Sequence, residues 1–491
     1  MRQTCIGAIG SNIPVRIPRT RARVWAVAFL TGLVCGDGQA ASALSDQQRE
    51  SKLAAQEAAL QPDVSATLFS GGPDSALASP AAATPTNLFS ETFWSAFAGF
   101  DLTTLRHSAK SDAESRFAEA MTLLAGGNVE TAESAFAAAS QQRTDVNVAV
   151  ASQAMLATTL RYERKWKQLR DLSLTSVLSS PDKLLTSELE QWGKAFADAE
   201  PQSIEFPTEP FVLALKVTAV GTPTIRVRIN GNTYDFWIDT GSSMTVVSSA
   251  VAADAKIEAL SEDTLVVRTF AGSAPVRPAS VKRIEIGSIV IINCPVVIID
   301  ESLMYLRASA EGVPARGVHV DGILGWDTLR QLDLTMDYAR GAILLAEPVR
   351  RIEGTDLDRT LAWLGKPLVE LGTKLGGKLH FMLDTGAQMT FLNATVIEKT
   401  GVSTKNSDGQ VFGIARTGRR TDRMVPFLSV NIGGKPVKLQ NVIVYGPVFS
   451  GLINSDGILG SDVSRFGAIH IDATNGVFTV GELIGLKDAT E

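Results

Sequence analysis

The chain has 491 residues, 45% of them hydrophobic and 20% charged, with a formal net charge of −6. This is ordinary for a globular protein of two or three domains, and the mild negative charge gives no sign of nucleic-acid binding. His107, His319, His380 and His470 stand at no metal-ligand spacing with one another or with the three cysteines, so a metal site is not expected.

Residues 1–43 have the pattern of a targeting segment. Arg2, Arg16, Arg19, Arg21 and Arg23 precede the apolar run Val24 to Cys35, no acidic residue appears before Asp37, and Ala41-Ser42-Ala43 suits a signal peptidase. The run is shorter than the roughly 20 residues a membrane-spanning helix needs. Export to the periplasm or the medium is the expectation, with an uncleaved anchor and an organellar transit peptide as alternatives. Cleavage would leave Cys294 alone, in an apolar strand-like run, as a buried structural thiol.

Residues 44–87 combine a short helix with a linker rich in Ala, Ser, Pro and Gly. Residues 88–200 have helical periodicity, with Ala132, Phe136 and Ala139 on one face after a Gly126-Gly127-Asn128 turn. This unit resembles a tetratricopeptide repeat, and a second pair over 147–160 and 163–177 matches less well. A small helical bundle packed on the main domain and a partner-docking module are both open readings.

Beyond Pro201 the period changes to two, as in Thr224 to Asn230, and short strands with Gly, Pro and Asn turns run to the C-terminus. The region is an internal repeat over 205–349 and 361–487, joined by a charged connection, 350–360. In the first half Phe236-Trp237-Ile238-Asp239-Thr240-Gly241-Ser242 precedes Asp321-Gly322-Ile323-Leu324-Gly325. In the second, Phe381-Met382-Leu383-Asp384-Thr385-Gly386-Ala387 precedes Asp456-Gly457-Ile458-Leu459-Gly460. One Asp-Thr-Gly is a weak signal; the whole unit repeated in the same order is a strong one.

These two units resemble the retropepsin/pepsin clan of aspartic proteases, each half similar to one retroviral-type subunit. The resemblance implies a mainly β fold of two tandem β-barrel lobes preceded by an all-α domain. It implies hydrolysis of a polypeptide by a water activated between Asp239 and Asp384, completed within a monomer and without metal or cofactor. Thr240 and Thr385 would bond across the pseudo-twofold axis, with Gly241, Ser242, Gly386 and Ala387 closing the loops. Ile323, Leu324, Gly325, Ile458, Leu459 and Gly460 would pack beneath them. Phe270, Gly272, Gly413 and Gly418 are candidate flap residues, without the tyrosine of pepsin flaps.

Two carboxyls held together cannot both ionise, so one proton is shared. A Ser242 hydroxyl donating to Asp239 would make Asp239 the more readily ionised member and Asp384 the proton carrier. Asp321, Asp327, Asp456 and Asp462 are expected to cap turns and short helices. The alternatives are a non-hydrolytic peptide-binding adaptor that docks partners through its helices, and a dyad assembled between two chains. Membrane association is expected only if the N-terminal segment stays attached.

Overall fold

The computed structural model describes residues 24–26, 92–142, 144–172, 182–218, 221–261, 264–269, 272–308, 316–350, 359–374, 376–400, 402–413, 416–445 and 453–481. Apart from Val24–Ala26, a short strand parallel to 410–412, the expected targeting segment lies outside these residues. The 44–87 linker, Phe270 and most of the connection between halves also lie outside them. No helix among the described residues is long and apolar enough to cross a membrane.

Among the described residues, seven helices run between 92 and 196: α1 Thr92–Ala98, α2 Leu102–Ser108, α3 Asp112–Ala125, α4 Val129–Ser140, α5 Val146–Tyr162, α6 Trp166–Asp171 and α7 Asp182–Phe196. A capping box starts α3: the Ser111 hydroxyl accepts from Glu114 N, and the Glu114 carboxylate accepts from Ser111 N. The Asp145 carboxylate accepts from Val148 N at the start of α5. Phe93, Phe97, Phe117 and Phe136 are buried in contact across α1, α3 and α4. Ala132, Phe136 and Ala139 form the buried face of α4.

The first lobe is a closed six-stranded barrel of β1 Pro223–Ile229, β2 Asn232–Ile238, β3 Val246–Ser248, β4 Gly272–Ile286, β5 Ile289–Ile299 and β6 Gly322–Leu324. Around it the order is β5-β3-β6-β2-β1-β4, and β4 returns to β5. The second lobe comprises β7 Pro367–Thr373, β8 Lys378–Leu383, β9 Phe391–Asn393, β10 Arg416–Ile432, β11 Lys435–Tyr445 and β12 Gly457–Leu459. Its order, β11-β9-β12-β8-β7-β10 and back to β11, repeats the first strand for strand. Each Ile-Leu-Gly is followed by a short turn of helix, α8 Trp326–Leu329 in the first lobe and a 3₁₀ turn, Ser461–Phe466, in the second.

Continuous apolar runs before each aspartate follow from burial on both strand faces. Phe236 and Ile238 point into the first barrel among Val227 and Ile284, whereas Trp237 joins a cluster shared with the helices. Phe381 and Leu383 line the second barrel, and Met382 belongs to the shared cluster. Each side chain so buried contributes about 2 kcal/mol, enough to hold the strand against both layers.

A five-stranded antiparallel sheet joins the lobes in the order Val477–Gly481, Ala468–Asp472, Asp333–Asp337, Ala342–Ala346 and Phe211–Ala214. Its central pairing, Asp333–Met336 against Asp472–Ile469, crosses from one lobe to the other. His470 Nε2 meets Asp333 Oδ1 at 2.8 Å on that seam. Cys294 is a free, fully buried thiol, and burial pushes it up to about 12.

Candidate active site

Each aspartate sits where one strand ends against another. β2 and β6 are parallel, pairing Ile238 with Leu324, and Asp239 N donates to the Leu324 carbonyl at 3.1 Å. In the second lobe β8 pairs Leu383 with Leu459, and Asp384 N donates to the Leu459 carbonyl at 3.0 Å. Strand register therefore delivers each carboxylate to the same point, and the joining sheet brings the two points together within one chain.

Four hydrogen bonds lock the loops to one another. Thr240 Oγ1 donates to the Leu383 carbonyl at 3.0 Å and accepts from Thr385 N at 3.0 Å. Thr385 Oγ1 donates to the Ile238 carbonyl at 2.8 Å and accepts from Thr240 N at 3.1 Å. Each hydroxyl uses both its donor and its acceptor capacity across the axis.

The glycines have a reason that the sequence does not display. A Cβ on Gly386 would lie 2.6 Å from both Asp239 carboxylate oxygens, and one on Gly241 would lie 2.7 Å from Asp384 Oδ1. Each glycine thus makes room for the carboxyl of the other lobe.

Asp239 and Asp384 are fully buried. Asp239 Oδ1 accepts from Gly241 N at 2.9 Å and Ser242 N at 3.2 Å, and Asp384 Oδ1 accepts from Ala387 N at 2.8 Å. Both Oδ2 atoms are buried without a donor. Burial raises Asp239 above the ordinary carboxylate range, with the Asp384 carboxyl and then the backbone N–H groups pulling back. Burial, and next the neighbouring charge of Asp239, raise Asp384 well above that range too.

The expected Ser242 contact is corrected by the structure. Its hydroxyl turns away from Asp239 and donates to the Met244 carbonyl at 2.7 Å, so only its backbone N–H serves the carboxylate. The short loop brings the Met244 carbonyl within reach of the hydroxyl. Ser242→Ala is therefore expected to cost about 1 kcal/mol of stability and leave the acidic limb of a pH–rate profile unmoved; denaturant titration and a pH series measure the two.

Four further aspartates are staples rather than the expected caps. Asp321 Oδ2 accepts from Asp235 N and Asp456 Oδ2 from His380 N, both at 2.9 Å. Asp327 Oδ1 accepts from Thr245 Oγ1 at 3.1 Å, and Asp462 Oδ1 from Thr390 Oγ1 at 2.7 Å. Those threonines accept in turn from Gly325 N and Gly460 N, each at 3.2 Å, tying the Ile-Leu-Gly segments to the Asp-Thr-Gly loops. In the sequence Thr245 and Thr390 stand as polar members of mostly apolar runs, and the signal for their role is the repeated position six residues after each aspartate.

Ile323, Leu324, Ile458 and Leu459 are buried beneath the loops. Gly272 and Gly413 form the last pairs of their hairpins, opposite Thr269 and Arg416. Gly418 lies inside β10 rather than at a tip, because the second hairpin closes nearer to Gly413.

The helices also reach this site. Arg161 Nη2, at the end of α5, donates to Ser243 Oγ at 3.0 Å. The Arg164 guanidinium donates to the Asp327 carbonyl and to Gln331 Oε1. Tyr162 stacks on Trp363 of the second lobe with ring centroids 4.0 Å apart, and Asn454 N donates to the Ala98 carbonyl at 2.7 Å. Among the described residues, no group of three or more His, Cys, Asp or Glu is placed to hold a metal ion.

Comparison with known proteins gives a family-model match in each lobe. Residues 225–328 match the family model of an aspartyl protease, and residues 373–463 match that of a gag-polyprotein putative aspartyl protease. A solved structure of a retropepsin-like aspartic protease from Rickettsia conorii aligns at 14% identity and a TM-score of 0.19, over 30% of this chain and 94% of that one. No curated protein matches the chain. Two family models in sequence, one on each barrel and each containing one of the facing aspartates, establish that the chain carries two retropepsin-like aspartyl-protease domains in tandem.

Proposed function

We propose that the protein is a single-chain aspartic endopeptidase in which Asp239 and Asp384 act as one catalytic pair. The observation that carries this reading is the reciprocal arrangement of the two loops: crossed threonines, backbone N–H groups on each inner carboxylate oxygen, and outer oxygens left over. In the proposed reaction the ionised aspartate takes a proton from water while the protonated one donates to the scissile carbonyl oxygen. The hydroxide adds to the carbonyl carbon, and the resulting gem-diol collapses as a proton passes to the leaving amine. Asp239, with two backbone N–H donors on Oδ1, serves as the usual base, and Asp384, which faces the Asp239 charge, carries the proton. The two titrate as a pair.

Only the singly protonated pair is active, so kcat/KM is expected to be bell-shaped in pH. Burial raises both members, which places the acidic limb above the ordinary aspartate value of about 3.9. Hydrolysis of labelled casein across a pH series tests this; a profile rising monotonically toward low pH contradicts it. Loss of that hydrolysis in Asp239→Asn and Asp384→Asn tests the assignment of the pair, and activity surviving both substitutions ends it.

A further inference from the structure

The turn that ends α5 touches both lobes beside the Asp239 loop. Arg161 Nη2 donates to Ser243 Oγ at 3.0 Å, two residues beyond Gly241. The Arg161 guanidinium carbon lies 5.0 Å from the centre of the Trp192 ring, a buried residue of α7. One residue on, the Tyr162 ring packs on Trp363 of the second lobe with centroids 4.0 Å apart.

Arg164 and Arg330 close a reciprocal contact between this turn and α8. The Arg164 guanidinium donates to the Asp327 carbonyl, and the Arg330 guanidinium donates to the Tyr162 carbonyl. The Asp327 carboxylate accepts from Thr245 Oγ1, which accepts in turn from Gly325 N. Trp326 N, also on α8, donates to the Ser242 carbonyl at 2.7 Å. The helical region is therefore bonded to the Asp239 loop directly at Ser243 and indirectly through α8.

The backbone of the turn carries a cost that matches this use. Lys165 N donates to the Leu160 carbonyl at 2.9 Å and Arg164 N to the Arg161 carbonyl at 3.1 Å, the Schellman pattern of a helix end. Glycine is usual where Arg164 stands, yet Arg164 holds a φ of 60°, a left-handed conformation unfavourable for an L residue. Such conformations persist where surrounding contacts fix them, and they gather at functional sites. The contacts here are the Asp327 carbonyl and Gln331 Oε1. Asp462 and Arg465 repeat Asp327 and Arg330 in the second lobe, but among the described residues no hydrogen bond joins them to the helices. Only the Asp239 loop is braced in this way.

We infer that the turn 161–164 positions the catalytic pair: Arg161, acting through Ser243, and Arg164, acting through Asp327, set where the Asp239 carboxyl stands against Asp384. The helical region is then part of the catalytic unit. This deepens the proposed peptidase reading and rests on it for the reaction that the pair performs. Each carboxyl is already confined by the glycine of the other lobe, so a small displacement of the loop alters the geometry on which the rate depends.

Casein hydrolysis by the full-length protein, with kcat and KM resolved, tests the inference. Arg161→Ala is expected to lower kcat roughly tenfold, short of the ~10²-fold that a 1 Å misplacement costs. KM should stay within about twofold, because the lost bond is to the loop and not to substrate. Arg161→Lys keeps a cation able to donate to Ser243 and should recover most of the loss. Ser243→Ala removes the same bond from the lobe side, leaves the helix intact and should match Arg161→Ala; the double variant should lose no more than either. Arg170→Ala, which opens the exposed ion pair with Asp171 on α6, is the control and should leave kcat unchanged. An unmoved kcat in Arg161→Ala and Ser243→Ala, a loss confined to KM, losses that multiply in the double variant, or no recovery in Arg161→Lys overturns the inference.

A second readout needs no turnover. A loosened Asp239 loop admits water to the pair and weakens the burial that raises both carboxyls. The melting-temperature gap between Asp384→Asn and the protein with both aspartates, followed from about pH 4 to 8, should therefore change less with pH when both carry Arg161→Ala. A merely structural arginine lowers all the melts alike and leaves the gap as it was, which would also overturn the inference. A diminished gap without any casein hydrolysis by the unsubstituted protein rejects the peptidase reading alone. Hydrolysis with kcat indifferent to Arg161 and Ser243 rejects the positioning role alone.

Discussion

Replacing Asp384 by Asn is expected to reduce peptide hydrolysis on the order of 10⁴-fold, the upper range of general acid–base contributions, while leaving the fold intact. The amide is nearly isosteric and can still accept from Ala387 N through its oxygen, but it cannot pass a proton to a carbonyl. Asp239→Asn is expected to be equally damaging, since neither aspartate has a substitute within the pair. The double variant should lose little more than either single one, because residues that act as a unit are non-additive.

Stability should move the other way. Both aspartates have raised values in the folded protein, so the folded state binds more protons than the unfolded chain above about pH 4. Their contribution is fully present below the unfolded value and is lost as pH rises through the folded ones. Asp384→Asn removes one buried ionisable group, and its melting temperature is expected to gain on the parent protein as pH is raised from about 4 to 8. Thermal melts across that range check the sign; a gap that narrows with rising pH contradicts the burial argument.

Gly386→Ala is expected to reduce activity by about 10²-fold and stability by about 1–3 kcal/mol. The added methyl would lie 2.6 Å from both oxygens of Asp239, and neither partner can give way freely. Asp239 is held by the Gly241 and Ser242 amides, and the Gly386 loop is clamped by Thr385. Relief must come from parting the two lobes or tilting the carboxylate, and either spoils a geometry in which 1 Å matters. Gly241→Ala should behave likewise from the opposite side. Gly481→Ala is the control: nothing lies within 4 Å of its added Cβ, so a change within about 0.5 kcal/mol is expected. Denaturant titration with the casein assay measures all three, and near-parental activity for both loop variants would remove the close approach as the reason for the glycines.

Much of the β region was legible because its signals are local and occur twice. A doubled Asp-Thr-Gly with a doubled Ile-Leu-Gly can be read without any coordinates. For the Ser242 hydroxyl an equally local signal points the wrong way: adjacency to Asp239 suggests a bond, whereas the loop's curvature presents the Met244 carbonyl. Asp327 and Asp462 were read as caps from their place at a helix start, yet each is claimed by a threonine more than 70 residues away.

From the sequence alone came the two β repeats, the pair of aspartates and the helical character of the region before them. These rest on periodicity and on motif order, which neighbouring residues encode. Only the tertiary structure decided which groups meet: the threonines that cross between lobes, the glycines that admit the opposite carboxyl, and the arginines of the helical region beside the Asp239 loop. Those contacts join residues 82 to 167 positions apart. They follow from how buried faces pack across layers, and no local pattern specifies which distant partner a buried donor will find.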